Sequence, residues 1–346
     1  MARAIKVVAA ALMVNLAACT SIWAQMISSR VTDDLLRLQS YRGTIVETRL
    51  VPGEPDVEVV RELIYQKPWK IRATTTAPEA HKGETFIYDG TQVIMWWPGE
   101  LFGIRITGID VPSESAIRDH IERETYKALR AYAYSLDGNY PIAGQRANRW
   151  RVVPTDDQPY RFKHIVWGHD GYSIPLRIDL FDKTGEPWYG MAFKDITFDV
   201  EVPQDAFAFE FPRNAVVFEW NLRDEGISIE EAKETMNFEV MGPTKLPEGH
   251  RIRKIVPSRH CLPVIAVMMD SGATWISLTE SRSLGDAYEI PLGKKVTLAN
   301  GHEAMLNFMG TYATLTWAQG RTQLTLIGNV AYPDLIEIAG SVAPVK

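Results

Sequence analysis

Residues 84–102 read ETFIYDGTQVIMWWPGELF, and the fold turns on how this stretch is read. Its apolar runs are strand-like, and Tyr88-Asp89-Gly90-Thr91 between them is tight-turn chemistry. Alternation puts Phe86 and Tyr88 on one face, and sets Ile94 and Trp96 opposite Met95 and Trp97. A one-residue slip exchanges the two faces, so the pattern alone leaves open which set points inward. It also leaves open whether these aromatics only fill a core or line a greasy concavity that holds something.

Working outward, 346 residues suggest about two domains. The chain is 46% hydrophobic and 23% charged, enough for a real core and unlike a disordered chain. A formal net charge of −6 without a basic stripe argues against nucleic acid as a partner. The N-terminus reads as a secretory signal over 1–25, with MARAIK as the positive segment and VVAAALMV as the apolar one. Leu16–Cys19, LAAC, resembles the lipobox of bacterial lipoproteins, which makes Cys19 the candidate lipid anchor. Cleavage after Ala24 is the competing reading. Thr20 is not the aspartate that retains such proteins at the inner membrane, so the lipobox implies an exported, periplasm-facing lipoprotein of the outer membrane. Cys261 is then alone, and no intramolecular disulfide is expected.

Strand-like runs follow at RGTIVETRLV, DVEVVRELIYQ and KPWKIRATTT, the first two joined by PGEPD. VTDDLLRLQSY before them reads as a short amphipathic helix. The spacing of Ile117, Ile121, Leu129 and Leu136 predicts a helix over 113–136, stopped by Asp137-Gly138-Asn139. From 139 to 212 the alternation predicts an antiparallel meander ending in a strand at FAFEFP. ISIEEAKETMNF reads as a linker helix within 216–240, and MGPTKLPEGHRI as a domain boundary. The last 110 residues or so carry six strand candidates and a closing helix at YPDLIEIAGSV.

An ordered series then becomes informative: QKPWKIR (66–72), YDGTQVIMWWPG (88–99), IAGQRANRWRVVP (142–154), IVWGHDGYSIPLRIDLFDKTGEP (165–187) and FKDITFDVEVPQDAFAFEFP (193–212). In this order the segments resemble the LolA/LolB-like lipoprotein-carrier superfamily. SGATWISL and LTWAQGRTQLTLIGNVAYPDLIEIAGSV resemble the small C-terminal domain of MucB/RseB-type regulators. The resemblance implies an α+β fold: a large curved antiparallel sheet, an unclosed half-barrel with helices in its concavity, over 26–215, then a small α+β domain over 241–346. It also implies that the concavity takes acyl chains, with Trp69, Ile71, Phe86, Tyr88, Met95, Trp97, Phe102 and Ile121 as candidate lining residues. Lys67 matches a family arginine that ties the sheet to its lid helix. Lysine lacks the bidentate fork, so such a latch is expected to be weaker or absent.

Neither a metal spacing, a phosphate loop nor a nucleophile elbow is present, and no cofactor is expected. VMMDSGAT (267–274) with LIGN (326–329) also looks like a retropepsin-like aspartic protease loop, which would make Asp270 catalytic. The leading expectation is a non-enzymatic envelope protein binding the acyl chain of a lipid or lipoprotein. The alternative is a regulator whose partner is the periplasmic part of an anti-sigma factor.

Overall fold

The computed structural model describes residues 33–34, 36–50, 55–67, 70–109, 113–115, 118–119, 122, 130–156, 162–181, 184–257, 264–270, 275–282, 293–309, 312–328, 330 and 332–345. Cys19, Trp69, Ile121 and Cys261 therefore lie outside the described residues.

Twelve strands form one mostly antiparallel sheet. They are β1 (Ser40–Arg49), β2 (Val57–Gln66), β3 (Lys70–Ala77), β4 (Thr85–Tyr88), β5 (Val93–Trp97), β6 (Phe102–Thr107), β7 (Tyr132–Ile142), β8 (Gln145–Pro154), β9 (Lys163–His169), β10 (Pro175–Phe181), β11 (Pro187–Phe198) and β12 (Val216–Asn221). The order is β12-β6-β5-β4-β3-β2-β1-β11-β10-β9-β8-β7, so the sheet is unclosed. β12 runs parallel to β6. The meander expected over 139–212 is present as β8 to β11, with β11 pairing back onto β1.

The chain divides into two compact units that interleave in sequence. The first holds the described residues of Asn15–Asp89 and Ser113–Ala208, the second those of Gly90–Pro112 and Phe209–Lys346. In the first unit, β1 and β2 alternate cleanly. Tyr41, Gly43, Ile45 and Glu47 are buried, and Arg42, Thr44, Val46 and Thr48 are not. The physical cause is the period of two, which lets one face meet the core and the other water.

The second unit holds β5, β6 and β12. It also holds a seven-stranded sheet. After β13 (Met241–Pro243), which lies outside that sheet, its strands are β14 (Arg251–Pro257), β15 (Val264–Asp270), β16 (Trp275–Arg282), β17 (Lys294–Thr297), β18 (Glu303–Met309), β19 (Tyr312–Gln319) and β20 (Thr322–Gly328), in the order β14-β15-β16-β20-β19-β18-β17. Helix α1 (Ile229–Thr235) starts where the sequence places it. Its N-cap, Ser228, accepts the backbone N–H of Glu231 at 3.0 Å. Helix α2 (Tyr332–Gly340) buries Leu335, Ile336, Ile338 and Ala339 and packs on β19 and β20. After it, β21 (Val342–Pro344) pairs with β13. Among the described residues no helix is long and apolar enough to cross a membrane, a statement about helices and not about strands.

Three expectations are corrected. The helix over 113–136 ends early. Glu114, Ser115, Arg118, Asp119, Glu122, Arg130 and Ala131 are helical, but β7 begins at Tyr132. Asp137-Gly138-Asn139 is not a helix stop. It lies inside β7, where the pairing with β8 shifts register between Leu136 and Asn139. Leu136, expected on the helix's apolar face, is 56% exposed. The reason is competition: Tyr132, Tyr134 and Tyr140 favour a pleated strand, and β8 offers a ladder that the helix could not satisfy.

FAFEFP is not a strand either. Residues 204–215 are turn and extended chain, and the next strand, β12, begins only at Val216. Its alternating phenylalanines obey the period of two without pairing. They pack as rings on the sheet instead. The short strands β13, β17 and β21 went unread as well, being too brief to show a period.

Candidate ligand-binding face

The inner face of the first unit follows from register. Tyr41 stands opposite Tyr65 and Phe198, Tyr65 opposite Ile71, and Ile71 opposite Tyr88. One residue pair further along, Gly43, Ile196, Leu63, Ala73 and Phe86 line up in the same way. The predicted residues Ile71, Phe86 and Tyr88 thus share one face. Phe86 and Tyr88 are buried, and Ile71 is half-buried. Burial, helped by the neighbouring Asp89 charge, pushes the Tyr88 hydroxyl up to about 12.

An aromatic cluster holds this end together. Tyr41 stacks on Tyr65 at 5.3 Å and meets Phe193 edge-on at 6.0 Å. Phe198 contacts the rings of His169 at 4.6 Å and Tyr172 at 4.9 Å. Burial lowers the His169 pKa, opposed by the nearby Asp170 and Asp34 carboxylates. Its Nδ1 accepts the backbone N–H groups of Gly171 and Tyr172, which fixes the β9–β10 turn.

Towards the other end the face becomes polar. Glu47 stands opposite Val59 and Met191, and Arg61 opposite Ile45 and Thr75. Glu47 pairs with the Arg61 guanidinium and accepts the Tyr189 hydroxyl at 2.8 Å. The Glu47 side chain has no exposure, whereas Arg61 keeps 14%. Desolvation lowers the Arg61 pKa, opposed by the nearby Tyr189 and Glu84. His164, in register with Val152 and Leu180, lies buried on the same face, and desolvation pushes its pKa down to about 3. It is a neutral ring at pH 7.

The elements at the rim are tied by polar contacts. Lys67 donates from Nζ to the carbonyl of Leu36 at 2.5 Å, and its N–H reaches the Gln39 carbonyl at 2.7 Å. Asp33, Asp34, Leu36 and Arg37 are helical, so the lysine binds the C-terminal end of that short segment, where helix carbonyls lack partners. The buried Asp34 carboxylate accepts the Ser173 hydroxyl at 2.9 Å and pairs with Arg37. Arg118, on the helical stretch after Ser113, pairs with Asp33 at 2.9 Å.

In the second unit the two tryptophans of the opening stretch part company. Trp97 lies in register with Phe102, Met95 with Ile104, and Val93 with Ile106. Their face continues through a row of rings. Trp97 is 5.7 Å from Phe102, Phe102 is 5.3 Å from Phe218, and Phe218 is 6.3 Å from Trp220. Trp96 faces the other way, with Phe211 at 5.8 Å and Phe209 at 6.3 Å. A Cβ added at Gly103 would lie 2.1 Å from Phe211, and Arg105 covers the same ring at 5.2 Å. Both faces of β5 are therefore covered. In the first unit Phe207 packs similarly against Lys70, while Arg72 donates to the Ala206 carbonyl at 3.1 Å. Met95, Trp97 and Phe102, three of the predicted lining residues, share the face away from Phe209 and Phe211.

Sequence reasoning missed Glu47, Arg61 and Tyr189. The signal was present: in RGTIVETRLV and VEVVRELIYQ the charges at Glu47 and Arg61 fall in phase with Gly43 and Ile45, and with Val59, Leu63 and Tyr65. A charge in the buried phase of a strand marks a polar site inside an apolar face.

Residues 105–210 match the family model described as the MucB/RseB N-terminal domain, in agreement with the resemblance seen in the sequence. An uncharacterised protein of Methanocaldococcus jannaschii is 21% identical over 220 residues, covering 62% of each chain. The chain thus spans about 62% of the length of the curated relative it matches. Among solved structures, the complex of MucA and MucB from Pseudomonas aeruginosa aligns with a TM-score of 0.47 at 15% identity, over 94% of this chain and 99% of that one. LprF from Mycobacterium bovis aligns with a TM-score of 0.30 at 12% identity, over 52% and 96%. A LolA-superfamily protein from Nitrosomonas europaea gives 0.27 at 12% identity, over 54% and 97%.

Proposed function

Starting from a chain that matches the MucB/RseB N-terminal domain over residues 105–210, we propose a non-enzymatic, exported envelope protein that holds the acyl chain of a lipid or lipoprotein against the inner face of its large sheet. In this reading residues 26–215 form the binding domain, 216–240 the linker and 241–346 a small domain. Cys19 carries the lipid anchor, and the outer membrane is the destination. The observation that supports it is the buried apolar face shared by Tyr41, Leu63, Tyr65, Ala73, Phe86, Tyr88, Met191 and Phe193. Each methylene buried there adds about 0.8 kcal/mol, so one chain binds tightly without a catalytic group. The lid in this reading belongs to the helical stretch whose described residues include Glu114, Arg118, Asp119, Glu122 and Arg130. Lys67, through the Leu36 carbonyl, is the latch that holds the first helical segment at the rim.

The experiment is extraction of the protein, purified without detergent, with organic solvent, followed by mass spectrometry of bound lipids. A Phe86→Arg variant is run alongside. Stoichiometric acyl lipid, lost in a variant that keeps its circular dichroism, supports the reading and makes Phe86 a lining residue. An empty wild-type protein overturns it and favours the second reading, in which the binding partner is the periplasmic segment of an anti-sigma factor. The matched family domain is the observation behind that second reading. The retropepsin reading ranks third. Asp270 ends β15 and is paired in register with Trp275, as in any strand hairpin.

A further inference from the structure

The inner face of the first unit is graded along its strands. At one end it is aromatic and aliphatic: Tyr41, Tyr65, Ile71 and Tyr88 lie in one register row, with Leu63, Ala73 and Phe86 in the next. At the other end, three further steps along β1 and two along β2, come Glu47 and Arg61, with Tyr189 from β11. A core that only needed filling gains nothing from an ion pair there, because burying two charges costs about as much as their attraction returns. An amphiphile needs both ends.

We propose that Arg61 is the anchor for the acidic headgroup, a phosphodiester or a carboxylate, of an amphiphile whose chain runs along the inner face towards Tyr41 and Tyr65. This rests on the acyl-chain reading above and gives it a direction and a headgroup class. Glu47 is the positioning residue. Its carboxylate lies sealed behind the guanidinium, takes the Tyr189 hydroxyl on Oε1, and holds Arg61 through Nη1. Arginine carries five N–H donors in a fixed fork, so one contact to Glu47 leaves an edge for two oxygens of a headgroup. Arg61 is also the member of the pair that retains solvent exposure. Glu84, the other carboxylate near Arg61, is engaged on Oε1 by His81 Nδ1 at 2.7 Å.

The test uses the whole protein and three single-chain probes with the same acyl length: lysophosphatidylglycerol, the uncharged monoacylglycerol, which has no acidic group, and the free fatty acid. Affinities are read by calorimetry. The expected result is binding of the first at least about tenfold tighter than the second, the value of one well-placed charged contact. Arg61→Gln should abolish that preference and leave the monoacylglycerol within about twofold. Because this variant strands Glu47, the double variant Arg61→Met/Glu47→Gln is run beside it, with circular dichroism as the fold check. Equal wild-type affinity for lysophosphatidylglycerol and the monoacylglycerol overturns the headgroup assignment and leaves the acyl-chain reading standing. No binding of any probe overturns the acyl-chain reading itself. A preference that survives in the double variant overturns Arg61 as the anchor. The fatty-acid arm separates the sources: binding as tight as that of lysophosphatidylglycerol assigns a carboxylate, and weaker binding assigns a phosphodiester.

Discussion

Gly103 carries more of the fold than its size suggests. Its missing side chain is where the Phe211 ring sits, and a methyl group there meets the ring at 2.1 Å. Gly103→Ala is expected to cost about 1–3 kcal/mol, as overpacking does. A lowered unfolding midpoint in denaturant checks it, and an unchanged midpoint would mean that Phe211 swings aside. Arg61 makes the opposite point, that one charge can be worth much or little according to what it leaves behind. Arg61→Gln alone should destabilise by about 3–5 kcal/mol, because the Glu47 charge stays buried. Arg61→Met with Glu47→Gln should recover most of that loss. Paired denaturation curves decide it, and equal costs for the single and double variants would show that the pair contributes more than its burial costs.

At the scale of elements, β7 is the instructive case. Residues 113–136 have helical spacing, and the described part of that stretch is helical as far as Ala131. The chain then changes period within a run that reads as continuous. Leu136→Asn distinguishes the two states. On an exposed strand position it should change stability by less than about 0.5 kcal/mol, whereas a buried helical leucine would cost several times more. The Lys67 contact belongs to this scale too. Lys67→Met removes a charged hydrogen bond to Leu36 worth about 1.5–3 kcal/mol. The loss should appear as faster amide exchange at Asp34, Leu36 and Arg37, with β8 and β9 unaffected. Exchange that rises equally everywhere would make Lys67 a general stabiliser rather than a local tie.

For the whole molecule, two buried groups give opposite pH dependences. Glu280 is fully buried in β16 and accepts the Met241 N–H at 2.7 Å on Oε2. Burial raises its pKa from 4.5 to about 8, and the Met241 bond only partly offsets this. Below about pH 8 the folded carboxyl is protonated, while the unfolded one ionises above 4.5. The unfolded state therefore binds fewer protons, and the unit holding the seven-stranded sheet loses stability as pH rises from about 4.5 to 8. His164 works the other way. Folded it stays neutral down to about pH 3, so the first unit loses stability as pH falls below 6.5. Amide exchange in β16 and in β9 across this range should show slopes of opposite sign. Glu280→Gln should flatten the first and His164→Phe the second; slopes that persist in those variants would place the titrating groups elsewhere.

What the sequence determined on its own is whatever rests on local periodicity. β1 to β3, β8 to β11, the strands of the seven-stranded sheet other than β17, and both described full helices follow from spacing and turn chemistry within a few residues. The resemblance reached the family domain for the same reason, since an ordered series of such pieces is itself a local record. Other features were settled only by tertiary structure. FAFEFP alternates like a strand, yet it lies as rings on the sheet, because alternation states which side chains point together and not what they pair with. Trp96 and Trp97 are neighbours with equal claims to the interior, and only the packing of Phe209 and Phe211 on one and of Phe102 on the other tells them apart. Glu47 and Tyr189 lie 142 positions apart, and no window of sequence joins them. A polar site on a sheet is assembled across strands by register, and register is set by how the whole sheet closes on its core.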